Sequence, residues 1–229
     1  MSLERIFIIG RFYITNLRNR VFGNVAVGGW AGFAFPVLTK PVGVHTDVDM
    51  SPANTVTLQV DGNTAHSTAY FWEHAAAFYF GGALYIDTDG VLTYNAGRDV
   101  NNERRPCEWN EAQQKCADVW NRITNSKVFL SARVGIGSWM GRMEVIGFET
   151  HDVGLALEAL VSGFWIHDMA ATCRTGEDLL LPGQNADRIP ADGFVWYDTN
   201  QVRYIFPLLD FFVCIFRQCP FFSHFTMCL

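Results

Sequence analysis

The stretch DVGLALEALVSGFWI, residues 152–166, decides how the rest of the chain is read. At helical spacing, Val153, Leu157, Leu160, Val161, Phe164 and Trp165 form one apolar stripe, and Thr150 or Asp152 stands where a helix cap belongs. The spacing predicts an amphipathic helix over 152–166. A second stripe, Trp109, Ala112, Cys116, Val119, Trp120 and Ile123, lies in residues 107–123, with Pro106 near its start and Arg122 near its end. It predicts a second helix.

Around these two segments the sequence is rich in strand signals. Residues 5–9 (RIFII), 24–35 (NVAVGGWAGFAF), 128–134 (VFLSARV) and 143–148 (MEVIGF) read as strands. In TVTLQVDGN (55–63), Val56, Leu58 and Val60 alternate with Thr55, Thr57 and Gln59, a half-buried strand that runs into a turn at Asp61-Gly62. Residues 69–80 (AYFWEHAAAFYF) fit either state, since the rings suit a strand and the central alanines a helix. FVWYD (194–198) and VRYIF (202–206) make a closing hairpin. No repeat of fixed period is evident. Many short strands, two helices and no regular βαβ rhythm predict a mainly β (α+β) fold, an antiparallel β-sandwich or jelly-roll-like sheet with two amphipathic helices. Residues 1–205 are expected to form one domain and 206–229 an apolar Phe/Cys-rich arm.

GGALYIDTDGVLTYN (81–95) contains the acidic loop Asp87-Thr88-Asp89-Gly90. A calcium loop of the helix–loop–helix type needs oxygen ligands at alternate positions and a Glu at the twelfth. Counted from Asp87, the fifth position is Val91 and the twelfth Arg98. The loop reads as a hairpin turn between ALYID and VLTYN.

Composition narrows the partners. A net charge of −6 without a basic cluster disfavours nucleic acid. Arg outnumbers Lys 14 to 3 (Lys40, Lys115 and Lys127), and 19 Phe, 7 Trp and 7 Tyr accompany them. Interfaces favour Arg and aromatic residues, although GC-rich codon usage produces the same bias. The arm carries seven Phe and three Cys, interrupted by Pro207, Asp210, Arg217 and Pro220, too broken for a membrane span. Its Phe211, Phe212, Phe216, Phe221, Phe222 and Phe225 are the candidate assembly interface, against copies of this chain, other structural subunits or a membrane surface. The early residues show no secretory signal, and with unpatterned cysteines this predicts an intracellular origin. Helical spacing would also keep Cys107 and Cys116 apart and unbridged.

Catalytic patterns are absent or broken. His74 with Pro106-Cys107 lacks the Glu and the second thiol of a zinc deaminase. His151-Asp152 and His167-Asp168 sit at the ends of the expected helix and read as a first-turn acid and a C-terminal cation. Asp87, Asp89, Glu144 and Glu149 are carboxylates that nothing in the sequence pairs. No catalytic, cofactor or metal residue is assigned. The resulting expectation is a non-enzymatic, self-assembling structural protein such as a viral or phage coat subunit. A carbohydrate-binding β-sandwich using Trp30, Trp72, Trp139 or Trp196 as stacking platforms for a glycan is the alternative, and a hydrolase with dispersed carboxylate or His residues the third reading.

Overall fold

The structure, a computed structural model, describes residues 10–38, 40–50, 52, 55, 58–70, 74–95, 107–110, 112, 115–118, 120–139, 143–159, 164–173 and 194–196. Among them the chain winds into a parallel coil of successive rungs. β1 (Gly10–Tyr13) leads in. The first rung is β2 (Arg20–Phe22), β3 (Val25–Val27) and β4 (Ala31–Val37), and the second is β5 (Gln59–Asp61), β6 (Thr64–His66) and β7 (Ala76–Ile86). Three strands inserted before the third rung make two hairpins: β8 (Leu92–Asn95) folds back on β7, and β9 (Cys107–Asn110) pairs with β10 (Lys115–Asp118). The third rung is β11 (Asn121–Thr124) and β12 (Lys127–Ser138), the fourth β13 (Met143–Ile146) and β14 (Glu149–Ala159). The fifth is β15 (Phe164–His167), β16 (Ala170–Cys173) and β17 (Phe194–Trp196).

Like strands stack on like. β2, β5, β11, β13 and β15 form a minor parallel sheet, and the remaining rung strands form a major sheet that is parallel throughout apart from the β7–β8 hairpin. The two sheets meet at a two-residue corner whose geometry recurs. Its first residue is left-handed in every rung: Gly23, Gly62, Asn125, Gly147 and Asp168, with φ of 64°, 61°, 47°, 60° and 50°. Gly, Asn and Asp tolerate that region best. Each of the first four donates its amide to the carbonyl of the strand residue one rung on, at 2.8–3.0 Å, so the hydrogen-bond ladder runs through the bend. The second corner residue turns inward: Asn63, Ser126, Phe148 and Met169 are buried. A second bend, within the major sheet, places Gly28, Ser67, Leu130 and Asp152 at positive φ.

Because equivalent positions superpose, the interior is built from rows. Phe12, Phe33 and Phe78 stack at centroid distances of 4.8 and 4.7 Å, and Phe35 on Phe80 at 4.3 Å. These are the strand spacings of a sheet, so rings in register pack face to face. Ile136 and Leu157, both buried, continue the first of these rows along the sheet. Across from them Ile123, Val145 and Ile166 line the minor sheet. The third wall is small-residued, with Ala26, Ala65, Val128, Thr150 and Ala171 in one row.

The mainly β expectation holds, but the sheets are parallel and not antiparallel, and no α-helix occurs among the described residues. In the deciding stretch, Val153 to Ala159 are all buried. A parallel strand covered on both faces reads as a continuous apolar run, and such a run always contains residues at helical spacing. The stripe in 107–123 falls on β9, β10 and β11, whose aromatic and β-branched residues favour extended chain. There Cys116 lies opposite Trp109 and Cys107 opposite Asp118, a diagonal of about 7–8 Å between Cα atoms that also exceeds a relaxed disulfide. The strand expected over 128–134 runs on to Ser138 as β12, and β17, expected in a closing hairpin, pairs in parallel with β14. Residues 5–9, 202–206 and the 206–229 arm lie outside the described residues.

The hairpin reading of the acidic loop stands, and Asp87 organises the turn. The Asp87 carboxylate accepts the amides of Asp89 and Val91 at 3.0 and 2.8 Å and the Thr93 hydroxyl at 2.9 Å, while Gly90 takes φ 75°. Its oxygens serve the loop itself. Asp87→Ala should cost about 1–2 kcal/mol, as for a lost capping carboxylate, and Asp89→Ala under about 0.5 kcal/mol. Denaturant melts of the two variants check the ordering, and an Asp89 effect equal to that of Asp87 would refute it.

Candidate functional site

Outward side chains of the minor sheet alternate with the buried row, so two further rows face away from the coil. One is Arg20, Gln59, Arg122, Glu144 and Trp165, and the other Phe22, Asp61, Thr124, Ile146 and His167. Stacked rungs bring chemically different groups to one strand spacing from each other. Arg122 Nε donates to Glu144 Oε2 at 2.6 Å, and His167 Nε2 lies 3.6 Å from Glu144 Oε1. Trp165, 39% exposed, tilts against Trp120 at 5.1 Å and lies 6.2 Å from the His167 ring. One rung down, the Asp61 carboxylate accepts from Thr124 Oγ1 at 2.5 Å and Asn125 Nδ2 at 2.9 Å. The hydrogen bond from Thr124, then that from Asn125, holds its carboxyl below the ordinary range.

This strip offers a guanidinium, an imidazole, two carboxylates and two indole rings on a flat, rigid surface. Its ion pair is open on the guanidinium side, with Arg122 60% and Glu144 14% accessible, so solvent screening keeps its contribution to stability modest. Residues that spend little energy on the fold are available for recognition. Around the corner, on the major sheet, Lys127 pairs with Glu149 at 2.9 Å, and chiefly this hydrogen bond lowers the Glu149 carboxyl. His66 stacks on Phe129 at 4.5 Å.

A second constellation is buried. His74 Nδ1 lies 2.7 Å from Glu158 Oε1, and Trp139 meets the imidazole edge-on at 6.0 Å. The deaminase comparison thus fails in space as well, since His74 partners a carboxylate on β14. Among the described residues no three His, Cys, Asp or Glu side chains converge to hold a metal.

The candidate residues from the sequence are scattered. Trp30 packs on Tyr79 and Trp139 on His74, both covering a small apolar cluster, so neither is an open platform. Trp72 lies outside the described residues, and Trp196 is on β17. The six arm phenylalanines also lie outside them. The carboxylates do not gather: Asp87 and Asp89 are in the hairpin, Glu144 is on the minor sheet and Glu149 on the major one. His151 and His167 end strand segments, and Asp152 and Asp168 are left-handed corner residues, not a cap and a helix terminus. Trp120 and Trp165 were missed because both fit apolar helical stripes. The signal that finds them is alternation: Ile123 in β11, Met143 and Val145 in β13 and Ile166 in β15 are buried or half-buried, and Arg122, Glu144 and Trp165 stand on the other face between them.

Comparison with known proteins agrees with the coil. A family model described as the CEMIP beta-helix matches residues 5–71. The chain is similar to G8 domain-containing proteins. One from Dictyostelium discoideum is 40% identical over 190 residues, covering 83% of this chain and 16% of that protein. From the same organism, Protein rliB is 40% identical over 192 residues and communication mutant protein F 37% over 188, each again covering 16% of the relative. The chain therefore spans about one-sixth of the length of these relatives. No solved structure matches. These matches overturn the expectation of a virion, capsid or other lattice-forming subunit: what the chain resembles is a G8 domain-containing protein and, over residues 5–71, the CEMIP beta-helix model. The antiparallel sandwich that the lectin-like alternative required is not found among the described residues, where the sheets are parallel, and Asp87, Asp89, Glu144 and Glu149 do not form a pair there.

Proposed function

We propose that this chain is a β-helix module of a much larger protein of the G8 and CEMIP beta-helix type, and that it acts there as a rigid scaffold. The outer strip of the minor sheet is its contact face for a partner. The observation that carries the reading is the extent of the identity, which runs over 83% of this chain while occupying 16% of the relative. A stretch of that kind behaves as one module within a longer architecture. The strip supports the second half of the reading, because Arg122 and Trp165 stand exposed on it beside the half-buried His167.

The test is a transplant. In Dictyostelium cells lacking communication mutant protein F, that protein carrying residues of this chain in place of its matching segment should correct the mutant's defect. The same transplant with Arg122→Ala, Trp165→Ala and His167→Ala should not, although the isolated chain should lose at most about 1 kcal/mol per exposed substitution. Failure of the unsubstituted transplant, in a protein that accumulates normally, would overturn the module. Rescue by the triple variant would remove the strip as the contact face.

A further inference from the structure

Each rung of a coil mainly touches the rung before and the rung after, so such folds tend to open one unit at a time from an end. Two contacts here reach further. Inside the coil, the rings of Phe78 in the second rung and Phe148 in the fourth meet edge-on at 5.6 Å. On the opposite side of the same sheet, His74, just before β7, reaches Glu158 on β14 at 2.7 Å. The strand between them is β12, and its residue in the row Tyr79–Gly137–Glu158 is a glycine. A Cβ at Gly137 would stand 3.0 Å from Ala76 Cβ and 3.6 Å from Tyr79 Cδ2, so this crossing has no spare room.

The pair is sheltered, with side chains 16% and 7% exposed, and it sits beside the outer cluster of Ala31, Ala34, Ala76, Tyr79, Val134 and Leu155. The second carboxylate oxygen, Oε2, is buried without a hydrogen-bond partner. Glu158 thus depends on His74 for its side-chain contact, and separating the rungs would strand a carboxylate in apolar surroundings.

We propose that the His74–Glu158 pair is a clamp that couples the second rung to the fourth across Gly137, so that three rungs open as one unit. Native-state hydrogen exchange on the full chain in graded denaturant tests it. In the unsubstituted protein, amides of residues 76–80, 134–138 and 155–159 should share one opening free energy and one denaturant dependence. In His74→Gln and in Glu158→Gln, residues 155–159 should exchange tenfold or more faster relative to 76–80. The double variant should add less than the sum of the two. Graded protection in the unsubstituted protein overturns the clamp, as does an intact block in both single variants. Should a variant fail to fold, the unsubstituted protein alone decides.

Discussion

Phe78→Ala should destabilise the chain by about 3–5 kcal/mol, a large part of what holds an ordinary domain together. The ring is fully buried, lies between Phe33 in its own row and the edge of Phe148, and continues a stack that begins at Phe12. Its removal leaves a hole in the middle of a column whose neighbours are fixed by backbone hydrogen bonds on either side. They cannot slide together to close it, because each rung's position along the coil is set by the ladder. The loss should therefore fall at the upper end of the range for large-to-small changes. Denaturant unfolding followed by circular dichroism measures it. A cost below about 1 kcal/mol would mean that the stack is not the core.

The next largest effect is expected at a polar side chain. Asn63 is fully buried at the corner between the sheets. Its Oδ1 accepts the backbone amide and the side-chain amide of Asn24, both at 3.1 Å, and its Nδ2 donates to the Val21 carbonyl at 2.8 Å. Its backbone amide donates to Ser126 Oγ, so this one residue joins the corners of three successive rungs, the first through its side chain and the third through its main chain. Asn63→Ala leaves a backbone donor and a backbone acceptor without partners, and at about 1–2 kcal/mol each the total should be about 2–4 kcal/mol. Asn63→Asp separates the two: it keeps the acceptor facing Asn24 and loses the donor to Val21. It should unfold at a denaturant concentration between those of the alanine variant and the parent. If the alanine variant melts with the parent, the corner ladder contributes nothing.

The strands were legible where one face is wet and one dry. Gln59, Val60 and Asp61 alternate plainly, and Gly62 announces the corner that follows. The acidic hairpin was legible for the same reason, since turn chemistry is local. Parallel pairing was not, because it depends on residues far apart in sequence and leaves its central strands apolar on both faces. The repeat was hidden by length variation. The last three left-handed corners, Asn125, Gly147 and Asp168, come 22 and 21 residues apart, but the earlier ones, Gly23 and Gly62, are separated from their successors by 39 and 63. Only the final trio shows a regular beat, and there the residue type changes each time. The strip on the minor sheet was invisible as a site because its members come from separate rungs. Arg122, Glu144 and Trp165 become neighbours only when the coil closes.

The inserted hairpins show what such a coil tolerates. β8, β9 and β10 stand between β7 and β11 in the chain, and the third rung still seats on the second with Lys127 against Thr64 and Val134 against Ala76. Length can be added at a rung boundary without altering the pitch, whereas a residue added inside a rung would shift every row beyond it. A parallel coil of this kind is therefore a ruler graduated in steps of about 4.8 Å. Gaining or losing one whole turn, such as the step from the start of β13 to the start of β15, moves the far end by one graduation.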